Sequence, residues 1–284
     1  MGQSLTMRPD FAAALGEQNP FEWAQTVEGK LYRHKEGRRT LRFELNSNAY
    51  FLKYHHGIGW GEISKNLTSG KAPVLGARLE WEAMHHLQAI GVDTMTPVAF
   101  GERGHNPARQ QSFVVTEALD HHISLEDFFN PQNPSPCPVA LKRALIRKVA
   151  TIARTVHDHG LNHCDFYICH FMLDEHAIDQ ARQQTNPDWD DNIRLHVIDL
   201  HRMRKRPRVP TRWLLKDLSA LCFSSLDCGL TRRDFLRFIE HYRGKPWRQV
   251  IAEESALWRQ VVAMAVKLYY KDFKREYDAK HITL

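Results

Sequence analysis

No stretch of this 284-residue chain approaches the 18 apolar positions that a membrane-crossing helix needs, and no charged-then-apolar signal opens it. A soluble protein is therefore expected. Cysteine is scarce: Cys137, Cys164, Cys169, Cys222 and Cys228 form an odd set without disulfide-scaffold spacing, which suits a reducing cytosol. Repeats and low-complexity tracts are missing too, which excludes solenoids and long disordered tails. Acidic residues are outnumbered, 33 against 39 Lys plus Arg, and the net charge of +6 favours anionic partners. Nucleic acid, a membrane surface and phosphorylated glycolipid all satisfy that condition. With 43% hydrophobic and 25% charged residues, the chain can bury a core and make one large or two small domains.

What is present centres on Leu161 to Leu173, LNHCDFYICHFML. A His-x-Asp after a long amphipathic stretch, running into an apolar Phe171-Met172-Leu173 strand, is the arrangement of a phosphotransferase catalytic loop. Phosphoryl transfer needs a carboxylate where an acceptor hydroxyl can give up its proton, and Asp165 is the candidate, with His163 packed behind it. His-x-Asp alone is common by chance. A second carboxylate, Asp199, follows the alternating strand Ile193 to Ile198, where it can hold a metal ion against nucleotide phosphates.

The remaining parts fall into order along the chain. Residues 1–24 read as a short helical or loosely ordered leader. KLYRHK, TLRFEL and AYFLKYH read as three antiparallel strands, separated by turns at Gly37 and at Asn46-Ser47-Asn48. Lys53 lies inside the third strand, where an ammonium needs an anionic partner. A helix expected from about Pro73 to Ile90 offers Glu80 and Glu82. Glu80 shares the apolar face of Met84 and Leu87, whereas Glu82 points roughly 200° away, so Glu80 is the expected partner. Ser112 to Glu117 reads as a buried strand, after which backbone groups near Glu117 would meet adenine. Pro131, Pro134, Pro136 and Pro138 mark a loop, and a helix with Leu141, Leu145, Val149, Ile152 and Val156 on one stripe stops at Gly160. Residues 174–192 read as a surface hairpin or insertion. The basic run Arg202, Arg204, Lys205, Arg206 and Arg208 is expected to face an anionic acceptor, and Asp217 to accept backbone N–H bonds beneath the catalytic loop.

The order Lys53, Glu80, Glu117, Asp165, Asp199, Asp217 resembles the protein-kinase-like superfamily. More narrowly, RRTLRFE, YFLKYHHGIGWGEISKNL, PVLGARLEWEA, CDFYICHFML, VIDLHR, KDLSAL and GLTRRD resemble the lipopolysaccharide core heptose(I) kinase family from about residue 20 to 240. The resemblance implies an α+β, two-lobed protein-kinase-like fold, with a small antiparallel-sheet N-lobe at 25–117 and a larger, mostly helical C-lobe at 118–284. It implies ATP- and Mg2+-dependent phosphorylation of the first heptose of the lipopolysaccharide inner core, with peripheral contact at the cytoplasmic membrane face and no nucleic-acid partner. It also raises an acidic acyl-carrier-type partner.

Several positions depart from the kinase pattern. His170 stands where a protein kinase has its catalytic-loop asparagine; it is a poor magnesium ligand, a phosphate contact or a structural residue, the last two favoured. Cys164 stands where kinases and this family usually have arginine, which argues against switching by loop phosphorylation. There is no Gly-x-Gly-x-x-Gly, so Gly37 alone must let the first hairpin approach phosphates. Cys164, Cys169, His163 and His170 lie too close in sequence for ordinary zinc spacing. The competing functions are a phosphotransferase for another hydroxylated molecule, such as an aminoglycoside, and a kinase-like binding protein that has lost catalysis.

Overall fold

Asn46 and Ser47 both take left-handed backbone, φ 49° and 63°, which is what a two-residue hairpin turn between right-twisted strands requires. Around that turn a computed structural model places a six-stranded antiparallel sheet; it describes residues 2–35, 37–68, 73–132, 137–185, 187–279 and 282. The chain divides into two compact units. The first takes residues Met1–His86, Met95–Asp120 and Leu200–Arg202, and the second takes Leu87–Thr94, His121–Asp199 and Met203–Leu284. The class is the expected α+β.

In the first unit the elements are β1 (Gln3–Met7), α1 (Pro9–Leu15), α2 (Pro20–Thr26), β2 (Lys30–Lys35), β3 (Arg38–Leu45), β4 (Asn48–His55), α3 (Gly59–Thr68), α4 (Arg78–Ala89), β5 (Pro97–Arg103) and β6 (Gln111–Glu117). The sheet runs β1-β5-β6-β4-β3-β2. Period-two alternation sorts β4: Tyr50, Leu52 and Tyr54 are buried against one apolar cluster, which sends Lys53 and His55 to the opposite face.

The residues read as a leader belong to this unit. β1 pairs antiparallel with β5, and Phe11, Leu15, Phe21 and Trp23 enter the same cluster as the sheet. Phe11 meets the edges of Trp23 and Tyr50 at 5.6 and 5.3 Å, geometry that aromatic quadrupoles favour. α4 begins at Arg78 rather than near Pro73. Ala77 gives its N–H to Ser112 Oγ at 2.9 Å and Gly76 packs against the same hydroxyl, so this approach stays non-helical.

The second unit contains β7 (His122–Ser124), α5 (Leu125–Phe128), α6 (Val139–Asp158), β8 (Leu161–Asn162), β9 (Phe171–Asp174), α7 (Glu175–Arg182), α8 (Trp189–Asn192), β10 (Leu195–Val197), β11 (Arg204–Lys205), α9 (Thr211–Ser224), α10 (Arg232–Arg243) and α11 (Trp247–Phe273). The expected stripe of α6 is buried throughout, and Gly160 ends the helix at φ 74°, where a Cβ would collide with the Arg206 carbonyl. Of the proline loop, Pro134 and Pro136 lie outside the described residues.

Residues 174–192 form two short helices instead of a hairpin. Asp174 and Asp188 each cap one by accepting first-turn N–H bonds, so acids that look like turn formers start helices. Small sheets β10-β9-β7 and β11-β8 fix the segments around the loop that carries Asp165. Among the described residues, no helix is long and apolar enough to cross a membrane.

Candidate functional site

In the first unit, Lys53 Nζ donates to Glu80 Oε1 at 2.6 Å. The helical-face argument for Glu80 holds: its residue is 1% exposed, while Glu82 lies at the surface. His55, two residues along the same strand face, is 3% exposed and its imidazole is pushed down to about 3, chiefly by burial and then by the charges of Arg38 and Lys53. This places a cation on β4, backed by a buried carboxylate and a neutral imidazole.

Gly37 adopts φ 70° at the β2–β3 turn. A Cβ there would lie 2.6 Å from the Gly57 carbonyl, while the Gly37 carbonyl accepts from His56 N–H at 3.0 Å. Its lack of a side chain therefore closes the turn against the end of β4. Glu117 ends β6, where its N–H goes to the Thr96 carbonyl and its Oε1 accepts from Arg8 at 2.6 Å. Arg8, in the segment read as a leader, was not singled out by the sequence.

In the second unit, Asp217 on α9 is fully buried and accepts the N–H groups of His163 at 2.7 Å and Cys164 at 3.0 Å. That is the bracing expected of it. His163 is fully buried, and its Nε2 donates to the Ile198 carbonyl at 2.9 Å; burial holds the ring below its usual basicity, with Asp217 opposing. Cys164 takes φ 73°, which turns the chain sharply and leaves Asp165 part-exposed between buried Cys164 and Phe166.

His170 ties this loop to the second carboxylate. The Asp165 carbonyl can only accept, so His170 Nδ1 carries the hydrogen of their 2.8 Å bond. The ring also stacks on His163 at 5.6 Å and 20°. Its other nitrogen, Nε2, lies 3.6 Å from Asp199 Oδ2. Asp199 follows β10 in a left-handed conformation, φ 61°, with a third of its side chain exposed. Ile198, just before it, gives its N–H to the His170 carbonyl at 3.0 Å.

Of these groups the Asp199 carboxylate suits a small hard cation. Among the described residues no group of three or more His, Cys, Asp or Glu could hold a metal by itself. Magnesium does not need such a cage, because one or two carboxylates with phosphate oxygens and water complete its shell. Asp199 offers the hard oxygen donor and His170 a softer nitrogen.

One basic residue departs from expectation. Arg206 turns inward, its Nη1 donating to Asn162 Oδ1 and its guanidinium lying 5.4 Å from the Trp213 ring centroid, rather than facing an acceptor. Asn162 went unnoticed in the sequence, although it lies one residue before the His-x-Asp.

Comparison with known proteins agrees with the resemblance. A model of the lipopolysaccharide kinase (Kdo/WaaP) family matches residues 22–242. The lipopolysaccharide core heptose(I) kinase WaaP of Pseudomonas aeruginosa is 48% identical over 265 residues, 93% of this chain and 96% of that protein. That of Escherichia coli is 44% identical over 271 residues, 95% and 99% of the two chains. A solved structure of WaaP in complex with acyl carrier protein superposes with a TM-score of 0.77 at 43% identity, covering 94% of this chain and 99% of that one. With a sheet-borne Lys–Glu pair in one unit and a braced Asp loop in the other, matched by that family over most of its length, the chain belongs to the lipopolysaccharide kinase (Kdo/WaaP) family.

Proposed function

We propose that the protein transfers a phosphoryl group from ATP to the first heptose of the lipopolysaccharide inner core, working peripherally at the inner face of the cytoplasmic membrane. The observation that carries this reading is the loop of the second unit, where Asp217 fixes the backbone under Asp165 and His170 links it to Asp199. Bound ATP supplies the phosphoryl group, and bound Mg2+ offsets the charge of its phosphates.

Asp165 accepts the proton of the heptose hydroxyl as that oxygen attacks, and its fixed backbone keeps the carboxylate oriented. Lys53, held by Glu80, donates to the phosphates. Asp199 would hold the magnesium ion. His170, with Nδ1 given to the Asp165 carbonyl, would meet a phosphate oxygen beside Asp199 through Nε2. Gly37 brings the first turn close to the nucleotide, and the backbone around Glu117 meets adenine.

An acyl carrier protein is proposed as a partner. The solved relative was captured with one, and the second unit contains an apolar cavity lined by Leu145, Val149, Phe238, Trp258 and Val261, which fits the end of an acyl chain. The basic surplus suits an acidic carrier.

The test offers the protein ATP and Mg2+ with heptose-containing deep-rough lipopolysaccharide, an aminoglycoside, or a generic protein. Phosphate should appear on the lipopolysaccharide heptose alone. Transfer to the aminoglycoside would select the other phosphotransferase reading, and transfer to none would select a binding protein that has lost catalysis.

A further inference from the structure

The carboxylate proposed as the base is reached through a residue in an unfavourable conformation. Cys164, immediately before Asp165, sits at φ 73°, where a non-glycine side chain crowds the backbone. The surroundings must hold it there. Asp217 accounts for its backbone N–H. Its thiol is held separately, because Asn162 Nδ2 donates to Cys164 Sγ at 3.0 Å.

Asn162 is fully buried, so its amide needs partners at both ends. Arg206 Nη1 supplies the donor for Oδ1, which fixes the orientation of the amide and aims Nδ2 at the thiol. Arg206 is itself located by three restraints. Its N–H bonds the Gly160 carbonyl at 2.8 Å, β11 just before it places Arg204 opposite Asn162, and its guanidinium lies over Trp213. Trp213 stands one helical turn before Asp217, so α9 supports the loop at two points.

We propose that Asn162 and Arg206 form a clamp that positions Asp165 by holding Cys164 in its left-handed conformation. The proposal rests on Asp165 as base for its effect on catalysis. A guanidinium reaches the start of the loop from Arg206, 44 residues further along the chain than Asn162.

The test compares wild type with Arg206→Lys, Arg206→Ala and Asn162→Ala by two readouts. The first is steady-state kinetics with ATP and deep-rough lipopolysaccharide. Arg206→Ala and Asn162→Ala should lower kcat roughly 10- to 100-fold, the scale for a catalytic group displaced by about 1 Å, with KM for ATP within about twofold. Arg206→Lys, which keeps a donor for Asn162, should recover part of the loss.

The second readout is alkylation of the folded protein by iodoacetamide, resolved by site with mass spectrometry. Cys164 should react at least about tenfold faster in both alanine variants, as the buried thiol becomes accessible, while Cys222 and Cys228 keep their wild-type rates. Unchanged kcat or an unchanged Cys164 rate overturns the clamp. Parallel acceleration at Cys164, Cys222 and Cys228, in Arg206→Lys as well as Arg206→Ala, assigns Arg206 to overall stability and also overturns it. If wild type leaves the heptose unphosphorylated, the kinase reading fails while the alkylation arm still decides the clamp.

Discussion

His55 shows how a single buried group ties stability to pH. Its folded-state value of about 3 lies below the ordinary value of 6.5, so the unfolded chain takes up a proton first as pH falls. Stability is unaffected above the unfolded value and is lost as pH drops from there toward the folded one. At about pH 5 this amounts to about 2 kcal/mol. Replacing His55 with Leu should therefore flatten the difference between urea unfolding at about pH 7 and about pH 5; an unchanged difference would assign the acid sensitivity to other groups. Asp165 is tested by chemistry instead. Asp165→Asn should cut turnover by about 10² or more with KM for ATP little changed, and near-normal turnover would remove it from the reaction. The positions of Asp165, Asp199 and Asp217 were legible in the sequence because each sits at a fixed offset from a strand or helix that could be read, and of their expected roles the bracing by Asp217 is the one the structure shows. Arg206 was not, because its partner Asn162 is 44 residues away and a run of cations reads as a solvated or ligand-facing surface.

Elements were legible where one period ran long enough to bury one face. The alternation of β4 and the 3.6-residue stripe of α4 together selected Lys53 and Glu80, and the structure joins them at 2.6 Å. Because Glu80 is almost fully buried, removing Lys53 leaves a carboxylate without its cation, whereas removing both groups does not. Lys53→Met and Glu80→Leu should therefore combine with an interaction energy of about 1–3 kcal/mol in urea unfolding, the double variant being more stable than the sum of the single losses implies. Simple additivity would mean the pair contributes nothing to the fold. Short elements were harder to read. α7 and α8 begin on aspartate caps whose side chains suit turns equally well, and α1 and α2 bury aromatics against strands that lie far along the chain. A sequence window does not contain those partners, so residues 1–24 carried too little periodic signal to be placed in the core.

For the whole molecule, composition bears on the charge of the proposed carrier and the packing of the second unit on its acyl chain. The surplus of +6 fits an acidic carrier, but the cavity was invisible in the sequence because α6, α9, α10 and α11 each contribute only a few of its walls. Its volume is about 80 Å3 and it is lined almost wholly by apolar side chains, surface that a guest chain would remove from water. Cys222 and Cys228 in its wall are pushed up to about 12 by burial, so they remain neutral and present no charge to a guest. A chain end that fills the cavity covers that surface only in the folded protein, and mass action then stabilises the fold. With acyl-loaded carrier at about 100 times its dissociation constant, the gain is about 2.7 kcal/mol, which for a chain of this size raises Tm by about 5 °C or more. Carrier lacking the acyl chain should shift Tm far less, and Val149→Trp, which fills the cavity from α6, should remove the difference between the two carriers. Equal shifts from loaded and unloaded carrier would place the contact entirely on the charged surface and leave the cavity without a part in it.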